Sequence, residues 1–250
     1  MPYVLEDLNL LEIKKEISKD KRTGTFVIEP LSPGYGVTIG NSIRRILLSS
    51  LEGFAVKSVK IEGVNHEYSI IKGVKEDTVD IILNLKTLSF KLVGTDETSL
   101  KLSVKGPKKV TAADFKKDAS VEALDEDHYI ATVEKGGKLE LEVVIDKGIG
   151  YVPIEKKAQI KSPIGTIVVD STYTPVKKVR FDVENARVGG MTNYNKLVIE
   201  ITTNGAITPS EALSQASKIL KEHLDVIVES AAQEKKETKK TAKKRERKEK

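Results

Sequence analysis

The chain has 250 residues, with 42 Lys or Arg against 37 Asp or Glu, three His, no Cys and no Trp. A chain this long can bury roughly 70% of its unfolded surface and fold without staples, so the missing cysteines exclude disulfides and thiolate-held metals without threatening stability. No run approaches the roughly 18 apolar residues of a membrane span, and the acidic start Met1-Pro2-Tyr3-Val4-Leu5-Glu6-Asp7 is unlike a secretory signal, so a cytoplasmic protein is expected.

The net charge of +5 is unevenly placed. Residues 231–250 hold ten basic and four acidic side chains, leaving 32 basic and 33 acidic elsewhere. Any attraction to nucleic acid therefore belongs to the C-terminal stretch and not to the body.

In chain order, a strand is predicted over residues 23–29, stopped by Pro30 and followed by the loop Ser32-Pro33-Gly34-Tyr35-Gly36. A helix follows over 38–49, where Ile39, Ile43, Ile46 and Leu47 recur at i, i+4, i+7 and i+8. Arg44, Arg45 and Leu48 fall away from that stripe, which makes Leu48 a candidate contact. Between residues 54 and 178 the pattern changes to short β-rich runs at 56–61, 98–104, 128–133, 139–145 and 166–169. Turns are expected at Gly136-Gly137 and Gly148-Ile149-Gly150. One helix interrupts them at 77–85, with Val79, Ile82 and Leu83 on one face, and the whole middle predicts a β-rich domain of its own.

After residue 178 come strands at 179–183 and 196–202, then a helix with a clear start. Thr208-Pro209-Ser210-Glu211 combines an N-cap, Pro at the first helical position and Glu at the third, a capping box. Its stripe is Leu213, Ala216, Leu220, Leu224 and Ile227, beside Ile219 and Val228; it either buries against the chain's own sheet or also packs against a partner. From Glu234 onward Lys pairs alternate with Glu, Thr and Ala without apolar periodicity, and a disordered tail is expected over 231–250.

Motifs for chemistry are missing. Gly34, Gly36 and Gly40 form G-x-G-x-x-x-G, one residue longer than the dinucleotide fingerprint, and suit a turn and a helix start. His66, His128 and His223 are scattered, and Asp125-Glu126-Asp127 suits a solvated turn better than a magnesium site. Neither a phosphate-binding loop nor a G-x-S-x-G elbow occurs. No catalytic residue, metal or cofactor is expected.

Residues 29–50, Glu29-Pro30-Leu31-Ser32-Pro33-Gly34-Tyr35-Gly36-Val37-Thr38-Ile39-Gly40-Asn41-Ser42-Ile43-Arg44-Arg45-Ile46-Leu47-Leu48-Ser49-Ser50, closely resemble the signature of bacterial RNA polymerase alpha subunits. A second similar block runs Ile61-Glu62-Gly63-Val64-Asn65-His66-Glu67-Tyr68-Ser69, then Gly73-Val74-Lys75-Glu76-Asp77 and Ile82-Leu83-Asn84-Leu85-Lys86. Shorter matches, among them Tyr173-Thr174-Pro175-Val176 and Lys196 to Thr203, extend the resemblance over residues 1–230.

The resemblance implies an α+β fold: a dimerisation domain from residues 1–52 and 179–230, interrupted by a β-rich insert over 53–178, with the basic tail at 231–250. It implies a non-catalytic homodimer on which the beta and beta-prime subunits assemble, with nucleotidyl transfer carried out by those partners and DNA met only through the whole polymerase or weakly by the tail. On the same basis Arg45, Leu48, His66, Glu67, Tyr68 and Ser69 would face beta. Lys86, Tyr173 and Arg180 would face beta-prime, and Tyr35, Ile46, Leu224 and Ile227 would pack the dimer. Two departures are expected to matter. The chain ends in a Lys-rich stretch where the family usually continues into a small DNA-binding domain, and Asn193 and Asn195 stand where acidic residues are common, which would weaken a salt contact. The rival expectation is a polymerase-independent nucleic-acid binder acting through the tail.

Overall fold

Apolar residues at every second position build two separate cores, one from each of two four-stranded antiparallel sheets. The computed structural model describes residues 11–157, 163, 165–188 and 191–246, with the backbone alone at 191 and 232–246. The elements are β1 (Glu12–Ile17), β2 (Thr23–Leu31), α1 (Tyr35–Ser49), β3 (Glu52–Ile61), α2 (Thr78–Thr87), β4 (Phe90–Leu92), β5 (Glu97–Lys105), β6 (Lys108–Thr111) and β7 (Val121–Ala123). They continue with β8 (Tyr129–Val133), β9 (Lys138–Ile149), β10 (Tyr151–Val152), α3 (Ile154–Lys157), β11 (Thr166–Val168), β12 (Ser171–Thr172), β13 (Val176–Val188), β14 (Met191–Thr203) and α4 (Pro209–Glu246).

The first sheet has the order β1-β2-β14-β13 and so joins the two ends of the chain. Phe26 and Ile28 on β2 and Leu197, Ile199 and Ile201 on β14 alternate inward and meet Ile43, Leu47 and Leu51 from α1 and the residues after it, together with Ala212 and Ala216 of α4. The edge strand β1 is exposed along its length and carries Lys14 and Lys15. Charged lysines on an edge discourage pairing with another sheet.

The second sheet, β11-β3-β9-β5, holds the insert. Leu139, Leu141, Val143 and Ile145 of β9 and Leu100, Leu102 and Val104 of β5 point into a core closed by Ile81, Ile82 and Leu85 of α2. The Asp77 carboxylate caps α2 by accepting the Asp80 amide at 2.8 Å. The fold is thus a mixture of helix and strand with a β-rich insert, as expected.

Two expectations need correction. The turn placed at Gly148-Ile149-Gly150 is not one, because β9 runs through Ile149 and Gly53 pairs with Gly148. Those two glycines serve close packing instead: a Cβ at Gly53 would collide with the Tyr173 carbonyl, and one at Gly148 would lie 2.7 Å from the Tyr173 ring. Second, β13 begins at Val176, whose side chain lies in the first core, so the chain returns from the insert a little before residue 178. Helix α4 is described as far as Glu246. The acidic residues near the N-terminus and the last four residues of the tail lie outside the described residues.

Among the described residues, the cores are tied where the chain crosses between them and at one further point. At the crossing, the Thr174 hydroxyl donates to the Leu48 carbonyl at 3.2 Å, and beside it, within the insert, the Tyr173 amide donates to the Gly150 carbonyl at 2.8 Å. Elsewhere Arg22, after β1, reaches Asp125 of the insert at 2.8 Å and donates to the Leu124 carbonyl at 3.1 Å. Asp125, expected in a solvated turn, is half of an ion pair.

Candidate interaction surfaces

Helix α1 is held against the first sheet by the absence of side chains. A Cβ at Gly40 would come within 2.7 Å of the Phe181 ring, and one at Gly36 within 2.8 Å of Val183. These glycines, which suggested only a turn and a helix start, therefore let the helix lie close to β13 and β14. With Gly36, Gly40, Ile43 and Leu47 facing inward, the opposite side is left to solvent: Tyr35, Val37, Arg44, Arg45 and Leu48 are exposed and Ile46 is half-buried. The N-terminus of α1 has no cap of its own. Asn195 on β14 supplies one, its Oδ1 accepting the Gly34 amide at 2.8 Å and the Gly36 amide at 3.3 Å. Asn195 thus makes a helix cap where a weakened salt contact was expected, while Asn193 is exposed.

Residues 66–69 belong to the other core and stand in a loop before α2. His66 and Glu67 are exposed, Tyr68 is 79% exposed, and Ser69 is half-buried with its carbonyl accepting the Thr78 hydroxyl at 2.7 Å. Ile70, 85% exposed, extends this surface and was missed because one isoleucine in a loop carries no periodic signal. The structure places Arg45 and residues 66–69 on separate cores, with no hydrogen bond or ion pair between them among the described residues.

Lys86 lies in the last turn of α2, and its ammonium donates to Asp170 Oδ1 at 2.6 Å. That ammonium holds the Asp170 carboxyl below its ordinary range. Arg180 is exposed on β13, opposite Glu200 in the register. Tyr173, expected beside them at a partner surface, is only 3% exposed. Burial, together with its bond to Asp146 at 2.7 Å, pushes its hydroxyl well above the usual tyrosine range. It has no surface to offer directly, and the exposed tyrosine at this edge is Tyr151.

The long stripe on α4 divides at Leu220. Ala212 and Ala216 are buried in the first core and Leu213, Ile219 and Leu220 pack against it, whereas everything from Lys221 to Ala231 is exposed. Leu224 is 52% and Ile227 63% exposed, with Val226 and Val228 beside them. Burial within the chain explains the first part of the stripe and leaves the second without a partner among the described residues. Start and direction of the helix are set by the capping box, in which Thr208 and Glu211 exchange hydrogen bonds.

Among the described residues no group of three His, Asp or Glu side chains could hold a metal ion, and no helix is long and apolar enough to cross a membrane. The three histidines stand in separate local networks: His66 with Ser69, His128 with Thr87 and the Asn84 carbonyl, His223 with the Ile219 carbonyl.

The family model described as "RNA polymerase Rpb3/RpoA insert domain" matches residues 59–174, which is the second core with its helix and small sheets. Over 212 residues, 85% of this chain and 67% of the relative, the sequence is 52% identical to a protein of Symbiobacterium thermophilum named DNA-directed RNA polymerase subunit alpha. A protein of the same name from Alkaliphilus metalliredigens is 53% identical over 213 residues, 85% of this chain and 68% of its own. One from Clostridium acetobutylicum is 50% identical over 225 residues, 88% of this chain and 71% of its own. Identity at that level across both cores leaves one assignment: the chain belongs to the family of DNA-directed RNA polymerase alpha subunits.

Proposed function

We propose that two copies of this chain form a homodimeric platform on which the beta and beta-prime subunits assemble for DNA-templated transcription. In this reading residues 1–52 and 176–230 form the dimerisation domain, and 53–175 form the insert. The observation that carries it is the apolar outer surface of the first core. Tyr35 and Val37 on α1 and Leu224, Ile227 and Val228 on α4 are exposed on helices that pack beside one another. Apolar side chains concentrated in this way on a soluble fold mark an interaction surface, and two identical copies can cover each other's helices.

Arg45 and Leu48 of α1, with His66, Glu67, Tyr68 and Ser69, are assigned to beta. An exposed arginine offers a planar fork of donors, a type enriched at interface hot spots. Lys86 and Arg180 are assigned to beta-prime, with Tyr173 shaping that surface from beneath. We assign weak, sequence-independent contact with nucleic-acid phosphates to the basic stretch at 231–250, and a cytoplasmic location to the assembled enzyme. The decisive experiment is co-expression with the cognate beta and beta-prime subunits. A complex with two alpha copies is expected, and its absence overturns the reading. Deleting residues 231–250 leaves that complex intact and removes salt-sensitive DNA affinity, whereas the rival binder would lose its only activity.

A further inference from the structure

Lys86 meets a single carboxylate among the described residues, that of Asp170, and both side chains are about three-quarters buried. The second oxygen of Asp170 accepts the hydroxyl of Tyr151 at 3.2 Å, and Tyr151 is otherwise exposed. The backbone that carries Asp170 is fixed on both sides. The Val169 amide donates to the Lys57 carbonyl at 3.1 Å, and the Val169 carbonyl accepts the buried Lys157 ammonium at 3.2 Å. Ser171 bonds to the same ammonium and donates to the Val56 carbonyl. Lys157 in turn lies 5.3 Å above the Tyr173 ring. A carboxylate on so restrained a segment has little freedom, whereas a lysine stem has four rotatable bonds. The aspartate therefore organises the pair.

We propose that Asp170 is a positioning residue for the beta-prime contact, presenting the Lys86 ammonium and the Tyr151 ring as one nearly neutral, hydrogen-bonding surface. The inference rests on the reading of Lys86 as a beta-prime contact. Of three N–H donors on the ammonium, Asp170 takes one and leaves two for the partner, while the Tyr151 oxygen keeps its lone pairs as acceptors. Because Asp170 already balances the lysine charge, this surface fits a partner region rich in neutral acceptors such as backbone carbonyls. It does not call for an acidic patch.

The test is capture of beta-prime by a preformed complex of the full chain with beta, measured across a range of salt concentrations. Wild-type capture should depend little on salt at this contact. Asp170→Asn should weaken capture by about fivefold and make it more salt-sensitive, because an uncompensated cation then faces the partner. Asp170→Glu should restore most of the capture, and Asp170→Asn added to Lys86→Gln should cause no further loss. Melting curves of each variant separate this effect from misfolding; if Asp170→Asn does not fold, the salt profile of Asp170→Glu against Lys86→Gln decides, the first expected near wild type and the second weak. Loss with Lys86→Gln but none with a folded Asp170→Asn, or additive losses in the double variant, overturns the inference alone. No loss with Lys86→Gln overturns the underlying reading and the inference with it.

Discussion

The Oδ1 atom of Asn195, on β14, accepts the amide of Gly34 at 2.8 Å across 161 residues of sequence, so the helix that carries Arg45 is capped by a distant strand. Losing that acceptor strands two amides. Asn195→Ala should cost about 1 kcal/mol in urea denaturation, the usual worth of an N-cap. Asn195→Asp keeps the acceptor and places a negative charge at the positive end of α1, so it should be neutral or stabilising by several tenths of a kcal/mol at neutral pH.

Arg22 should matter more to the relation between the cores than to either core. Arg22→Ala removes both the Asp125 pair and the bond to the Leu124 carbonyl, on groups about one-third exposed. A global cost of only about 1 kcal/mol is expected after allowing for solvent screening. Amide exchange at residues 124–126 should accelerate, while exchange in β9 stays slow.

Replacing Leu224 and Ile227 together by Glu should separate the dimer without unfolding the chain. Both side chains are exposed in the single copy, so no core contact is lost, and four charges would be buried in the paired state. Sedimentation should report a monomer with an unchanged far-ultraviolet spectrum.

Arg45→Ala should leave the dimer intact, since its side chain points away from the buried face of α1. Capture of beta should weaken by about 2 kcal/mol, as for an interface hot spot. Equal capture by variant and wild type would remove Arg45 from the interface.

Acid should weaken the Lys86–Asp170 pair in a defined window. The Lys86 ammonium lowers the Asp170 pKa in the folded chain beneath its ordinary value of 3.8. Its contribution to stability is therefore complete above that value and is lost as pH falls through the lower, folded one. The stability difference between wild type and Asp170→Asn should be constant near neutrality and shrink below about pH 4.

Features encoded by neighbours were legible in the sequence, and those encoded across the chain were not. The α4 cap depends on Thr208 and Glu211, three positions apart, and β9 shows its buried face by plain alternation. β1 gave no signal because all six of its residues are exposed and nothing alternates. The cap from Asn195 and the pair between Arg22 and Asp125 join distant segments and have no local trace. The burial of Tyr173 escaped notice for a similar reason: its pocket is made by the missing side chains of Gly53 and Gly148, which cannot be seen as packing until the strands are paired. The family resemblance supplied the partners, and the exposed surfaces of α1 and α4 supply a physical reason for one of them.

Where the chain leaves the first core and where it returns, Gly53 and Tyr173 leave no room for even a methyl group between them. Two crossings locked face to face behave as a riveted joint and not as a tether. With the Arg22 strut set apart from them, load applied to the insert would pass into the first sheet and, in the proposed homodimer, towards the second copy. The proposed dimer, built this way, would act as a gauge that fixes the spacing of the two large subunits assigned to it.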